Sequence, residues 1–196
     1  METPGLRERK KLATRSALSA AALRLAAERG PDQVRVEEIA AAADVSPRTY
    51  NNYFASREDA ICAALGAERA LSAGAAVRAR PAAESPGTAV LAALTGEYAR
   101  ARLGPDMVAL VTSSAALRAA YLRAVAVLDG PLAEALAARL GVPVDLPVRS
   151  LAAAVSGAVR VAVEQWLDDD GAADLHVLVA TCVRHLLPAL DTLGAP

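Results

Sequence analysis

Three of the six aromatic residues in this 196-residue chain, Tyr50, Tyr53 and Phe54, fall within five positions, and their surroundings leave little choice of local fold. Asp44-Val45-Ser46 carries a turn signal. Ser46 followed by Pro47 marks a helix start, because serine supplies a capping oxygen and proline's missing N–H costs nothing in a first turn. Before the turn, Val36 to Ala43 reads as a short helix, with Glu37 and Glu38 in its first turn and Ile39 with Ala42 or Ala43 pointing inward. After it, Pro47 to Phe54 reads as another helix, too short to be stable alone. Tyr50 and Phe54, one turn apart, are therefore expected to anchor it to its neighbours.

A helix, a tight turn and a short polar helix form the pattern that lays its second helix in a DNA major groove. The preceding segment agrees. Leu6 to Arg29 reads as a helix with Leu18, Ala22 and Leu25 on one face and Ala21 beside it, stopped by Gly30-Pro31. Its first turns hold Arg7, Arg9, Lys10, Lys11 and Arg15. Positive charge there opposes the helix macrodipole, so phosphate binding explains it better than local stability does. The net charge of −1 averages two unlike parts. Residues 1–57 hold ten basic and seven acidic side chains, a balance of +3, and residues 58–196 hold eleven and fifteen, a balance of −4. The expected division is a DNA-binding unit over 1–57 and a second helical unit over 58–196.

The second unit is a succession of helical patterns: Ser56–Arg80, Thr88–Leu103, Asp106–Val111, Ala115–Leu128 with a continuation past Gly130-Pro131 to Leu140, Pro147–Leu167 and Asp174–Leu190. Apolar residues make up 54% of the chain but aromatics only 3%, the excess being largely alanine. Small side chains let helices approach closely, and alternating strand patterns are nearly absent. The fold class expected is all-α, with about nine helices.

Catalysis and cofactors are not expected. His176 and His185 do not fall next to each other on a helix, no Cys or carboxylate cluster completes a metal site, and no phosphate loop or nucleophile elbow is present. Two separated cysteines, Cys62 and Cys182, fit a reducing cytoplasm better than a disulfide scaffold. The charged N-terminus carries no signal peptide, and Arg, Gly and Pro interrupt the apolar stretches, so no membrane span is expected.

Ile39-Ala40, Val45-Ser46, Arg48-Thr49, Tyr53-Phe54 and Arg57-Glu58 resemble the tetracycline-repressor (TetR) family pattern I-A-x-x-A-G-V-S-x-x-T-[LF]-Y-x-[YH]-F-x-x-[KR]-[ED]. Ala21-Ala22-Leu23 and Glu28-Arg29-Gly30 also fit the end of that family's first helix, so the resemblance covers about residues 12–62. Asp44 replaces the usual turn glycine, Arg35 stands where a capping threonine is common, and Asn51 replaces a tyrosine. The resemblance implies a homodimeric regulator of transcription, a repressor released from a near-palindromic double-stranded DNA operator by a small, largely hydrophobic effector. A helical carrier or enzyme for apolar molecules with a vestigial DNA module is the alternative.

Arg48, Asn51 and Asn52 are the polar candidates for reading base edges, since Arg pairs bidentately with guanine and Asn with adenine. Thr49, Tyr53 and Arg57 match family positions that hold phosphates, and Arg15 joins them as a basic contact. For an effector pocket the candidates are Tyr98, Arg102, Met107, Thr112, Tyr121 and Trp166, with Arg102 or Arg118 facing an anionic head. The last two helices carry wide apolar faces, which imply more than one buried neighbour. The resemblance implies that the pair packs on a second copy as a four-helix bundle, with Leu151, Val155, Val159, Leu175, Val179 and Leu186 as the expected dimer contacts.

Overall fold

The computed structural model describes residues 6–100 and 105–193. Eleven α-helical segments and two 3-10 turns occupy them, and no strand occurs among the described residues. The first three helices are α1 (Leu6–Arg29), α2 (Val36–Ala42) and α3 (Pro47–Tyr50), with a 3-10 turn at Pro31–Gln33. Leu18, Ala22, Leu25, Ile39, Tyr50 and Phe54 form their shared core, each 5% exposed or less.

The local signals act as expected at both ends of the turn. Asp44 takes φ 55°, the left-handed conformation that Asp tolerates better than most residues. Ser46 Oγ accepts the Thr49 amide at 3.1 Å and so caps α3. At Arg35, which lacks a capping oxygen, the amide donates to Glu38 Oε2 at 3.1 Å, so half of a capping box starts α2. One expectation is corrected: α3 ends at Tyr50 and not at Phe54. The amides of Asn52 and Tyr53 bond the carbonyls three residues back, Thr49 and Tyr50, which tightens the chain into turns.

The body is built around α4 (Arg57–Ala79), which packs on α1, on α5 (Pro86–Arg100), on α7 (Ala115–Val125) and on α8 (Asp129–Leu140). Ser56 caps it by accepting the Asp59 amide at 3.0 Å. Two glycines permit its close approach to neighbours. A Cβ on Gly66 would lie 2.3 Å from the Ala124 carbonyl oxygen of α7, and one on Gly74 would lie 2.9 Å from the Pro131 carbonyl oxygen of α8. Gly130-Pro131 does not interrupt α8, because it falls in the first turn, where no N–H is needed.

The short α6 (Pro105–Thr112) packs against α7, and α9 (Leu146–Asp168) runs antiparallel to α10 (Leu175–Arg184). The single last helix expected over 174–190 is two: α10, then α11 (Leu187–Asp191), broken at His185-Leu186. Pro188 cannot donate back to Arg184, so the helix stops and restarts. Asp191 Oδ1 accepts the Gly87 amide at 2.7 Å, pinning α11 to the start of α5.

Contrary to the sequence expectation, α4 and α9 are long and apolar enough, by length and composition, to cross a membrane, with mean hydropathy 1.3 and 1.4. That apolarity goes into helix packing here: Ala60, Ala70 and Ala73 of α4, and Ala152 and Ala162 of α9, are nearly inaccessible.

Candidate functional sites

At the N-terminal end, an open groove of about 640 Å³ lies between α1 and α3. Arg7, Lys10, Lys11 and Thr14 line one side, and Thr49, Asn52 and Tyr53 line the other. The fold thus brings the basic first turns of α1 beside three of the residues expected to touch DNA. Arg48, Asn51 and Asn52 are exposed and Thr49 is half-buried, while Tyr50 (1% exposed) and Phe54 (4%) face inward. Their ring centroids lie 5.8 Å apart, and the Tyr50 hydroxyl donates to the Ser56 carbonyl at 2.7 Å, joining the end of α3 to the start of α4. Burial first, then Glu58 and Asp59, push the Tyr50 phenol up to about 12.

Two of the expected phosphate contacts are occupied within the chain. Arg15 donates to the Tyr53 carbonyl at 2.9 Å and lies over the Phe54 ring, 4.5 Å from its centroid. Arg57 donates to the carbonyls of Asp32 (3.0 Å) and Val34 (3.3 Å) and to the carboxylates of Glu58 (2.8 Å) and Asp32 (3.3 Å). These arginines tie down the loops around the groove, a role their position in the sequence does not reveal.

In the body, two of the six expected pocket residues meet. Tyr98 on α5 and Tyr121 on α7 converge on Arg69 of α4, which the sequence reading did not single out. Arg69 Nη1 donates to the Tyr121 hydroxyl at 3.1 Å, and its guanidinium carbon lies 5.0 Å from the Tyr98 ring centroid. Burial pushes the Tyr98 phenol up to about 12, with Arg69 pulling against it. Trp166 lies elsewhere, packed on Gly171, where a Cβ would come within 3.2 Å of the ring. Thr112 donates to Val108 of its own helix at 2.8 Å, and Met107 is half-buried on the same helix. Arg118 is paired with Asp168 at 2.5 Å, which corrects its assignment to an anionic head, and Arg102 lies outside the described residues. Cys62 donates to the Leu117 carbonyl at 3.6 Å, and burial pushes its thiol up to about 12, which suits packing and not redox chemistry.

The expected dimer contacts also need correction. Val155, Val159 and Val179 are 0% exposed and Leu175 is 7% exposed within a single chain, so the broad apolar stripes of α9 and α10 face the chain's own core. Only Leu151 and Leu186 are half-buried. The outward sides of this hairpin carry Ala154, Gly157 and Val161 on α9, and Val177 and Thr181 on α10.

Residues 18–65 match the family described as bacterial regulatory proteins, tetR family, and residues 80–191 match the family described as the MftR C-terminal domain. The chain is 35% identical to the HTH-type transcriptional regulator TcmR of Streptomyces glaucescens, over 83% of this chain and 77% of that one. The chain belongs to the TetR family. It is a DNA-binding transcription factor and not an enzyme. Among solved structures it is similar to Thermus thermophilus FadR, a TetR-family repressor in complex with lauroyl-CoA. The TM-score is 0.55 at 22% identity, over 93% of this chain and 95% of that one, a likeness of fold. FadR from Bacillus halodurans gives a TM-score of 0.47 at 22% identity, covering 95% of this chain and 97% of that one. For this TetR-family chain, the TetR-like pattern around Ser46 marks the head, and the α4–α5–α7 contact is the interior feature of the body.

Proposed function

We propose that the chain is a homodimeric repressor in the cytoplasm that leaves a near-palindromic operator when a small molecule binds in its body. The supporting observation is the groove in which Arg7, Lys10 and Lys11 face Thr49, Asn52 and Tyr53. Cations on one wall and hydroxyls on both suit a DNA backbone, and the exposed Arg48, Asn51 and Asn52 lie at the same end. In this reading Arg48, Asn51 and Asn52 read bases. Thr49, Tyr53 and the α1 cations hold phosphates, while Arg15 and Arg57 brace the reader from behind.

One three-helix head makes few contacts, so two are needed, about one helical turn of DNA apart, roughly 34–36 Å. The outward sides of α9 and α10 are the face for the partner copy. Ala154 and Gly157 are small, and a Cβ on Gly157 would meet nothing within 4 Å, leaving room for a second helix. The effector acts by its differential affinity for the conformation whose heads are wrongly spaced.

The test is binding to the DNA flanking the chain's own gene, followed by fluorescence anisotropy at several salt concentrations. Arg48→Ala with Asn52→Ala removes two base contacts worth roughly 1–3 kcal/mol each and is expected to weaken specific binding at least about thirty-fold. Lys10→Ala is expected to weaken all DNA equally and to reduce the salt slope by about one. An unaltered affinity in the double variant refutes the assignment. Transcription of the adjacent genes in a deletion strain tests the sign: derepression is expected, and a fall would make the chain an activator.

A further inference from the structure

We infer that Arg69, Tyr98 and Tyr121 form the recognition point for an acidic aromatic effector, whose entry parts α7 from α4. This deepens the reading above and rests on the body being an effector site.

Arg69 differs from five other arginines of the body in having no ion-pair partner among the described residues. Elsewhere in the body, Arg80 is paired with Glu84, Arg100 with Glu97, Arg118 with Asp168, Arg123 with Asp59 and Arg160 with Glu164. Arg139 donates to the Arg80 and Glu84 carbonyls at 3.0 and 2.7 Å. Arg78, Arg149 and Arg184 also lack ion pairs among the described residues but are solvent-exposed. The Glu97 carboxylate feels the Arg69 charge only from beyond ion-pair distance. Arg69, withdrawn between three helices, forms no ion pair among the described residues. Its one hydrogen bond among them runs to a neutral phenol, and a guanidinium carries five N–H donors. Leu65, Val125 and Leu128 supply apolar walls, so the site is a cation in an otherwise hydrocarbon setting. A carboxylate or ionised phenol satisfies the donors. A flat ring satisfies the rest, since the guanidinium plane and two phenol rings are stacking surfaces. Both tyrosines are 5% exposed or less, and burial raises both phenols, so at neutral pH they keep their protons and can donate to an anion.

The cavity now measures about 10 Å³, room for about one water. A ring enters only if the walls separate, and one wall is a backbone-close helix contact. Gly66 lines the cavity, and it is there that α4 meets the α7 backbone so closely that a Cβ would lie 2.3 Å from Ala124 O. Beyond that seam α7 carries Arg123, whose Nη2 bonds Asp59 Oδ1 at 2.6 Å. Ser56 Oγ donates to Asp59 Oδ2 at 3.0 Å, and the Ser56 carbonyl holds the Tyr50 hydroxyl of α3. A shift of α7 is therefore transmitted through direct contacts to the recognition helix.

The experiment uses the full-length protein with naphthoate, with its neutral analogue naphthylmethanol, and with benzoate as a smaller acid, followed by calorimetry, thermal unfolding and operator release. The acids are expected to bind and release DNA, naphthoate about ten-fold or more tightly than naphthylmethanol, the size of a hydrogen-bonded charge contact. Arg69→Gln is expected to abolish that preference. Arg69→Met is expected to keep or raise the melting temperature, because it removes a largely buried charge that has no ion-pair partner among the described residues. Arg123→Ala keeps naphthoate affinity but reduces the fold-release from DNA. Equal binding of acid and alcohol overturns the proposal. So does no binding of either acid at millimolar concentration, or a preference for the acid that survives Arg69→Gln. If naphthoate binds through Arg69 but the protein never binds DNA, the site stands and the regulator reading falls. If an effector releases DNA regardless of Arg69, the reverse holds.

Discussion

In the head, Arg15 and Arg57 direct their guanidinium groups at main-chain carbonyls, Tyr53 for one and Asp32 with Val34 for the other. In the body, Arg69 touches two phenol rings and makes one hydrogen bond among the described residues. The packing differs in the same sense. The head closes around two aromatic rings, Tyr50 and Phe54, whereas α4, α7 and α8 meet through glycine and alanine with backbone against backbone. The surface that exposes Arg48, Asn51 and Asn52, the proposed base readers, is braced by hydrogen bonds to the main chain. The α4–α7 seam that an effector would part, on the proposed reading, is close small-residue packing crossed by hydrogen bonds between three residue pairs, Cys62 with the Leu117 carbonyl, Arg69 with Tyr121 and Arg123 with Asp59. The main-chain bracing thus gathers at the N-terminal end of α4, and the small-residue packing runs from its middle, at Gly66, toward its C-terminal end, at Gly74.

The strongest way to break the contrast is at the head's aromatic anchor. Phe54→Ala removes a ring 4% exposed and also the surface under Arg15, and should cost about 3–5 kcal/mol. Operator binding should vanish at temperatures where most of the body's helical circular dichroism survives. If both are lost in one transition, head and body are a single cooperative unit and the contrast is wrong. Next in size is the body's seam. Gly66→Ala forces a methyl against the Ala124 carbonyl, and overpacking of this kind costs about 1–3 kcal/mol. Gly130→Ala, whose Cβ would meet nothing within 4 Å, serves as its control and should stabilise by roughly 0.5–1 kcal/mol through lost chain entropy. Urea unfolding of the two variants gives the comparison directly, and a Gly66→Ala protein of unchanged stability would show that the seam is already loose.

How much of this was legible in the sequence follows the same division. The head is written in short-range signals. Ser46 before Pro47, Ser56 before α4 and Asp44 in the turn each act through neighbours a few residues away, and the structure bears them out. The same holds for the Tyr50–Phe54 pair. The carbonyl bonds of Arg15 and Arg57 were not legible, because a basic residue beside a DNA-reading motif looks the same whether it meets a phosphate or a carbonyl, and the Arg15 partner is 38 residues away. Arg69 was illegible for a related reason. On a helix it is one basic residue among several, and its meaning comes from Tyr121, 52 residues distant. The inward faces of α9 and α10 were taken for a partner's face because periodicity finds an apolar stripe without saying what covers it. The break before α11 was available, since Pro188 already forbade a continuous helix.

A smaller effect sharpens the brace itself. Arg15→Ala removes a charged hydrogen bond to Tyr53 O and a cation over Phe54, both on an exposed side chain, and should cost about 1 kcal/mol. Arg15→Lys keeps a positive charge near the ring but loses the fork that reaches the carbonyl. If the brace matters for reading DNA, Lys at this position should lose operator affinity along with Ala. Recovery by Lys would instead identify a phosphate contact, for which any cation serves.

The last contrast has no effect at neutral pH and lies in how two buried phenols titrate. Tyr50 and Tyr98 are both pushed up to about 12, in each case first by burial, but their neighbours act in opposite directions. Glu58 and Asp59 raise Tyr50 further, whereas Arg69 lowers Tyr98. An unfolded tyrosine ionises near 10, so the stability tied to the neutral phenols is fully present below about 10 and is lost as pH rises through about 12. Phenolate absorbance followed through this range should show Glu58→Gln moving one transition down, by weakening the repulsion felt by the Tyr50 phenolate. Arg69→Met should move a different transition up, because the cation that favours the Tyr98 phenolate has gone. The absence of a shift in either variant would mean that burial alone sets both values, and that the Arg69 charge is screened from Tyr98 by water. In that case a cavity already wet enough to screen a guanidinium would admit a neutral ring as readily as an acidic one.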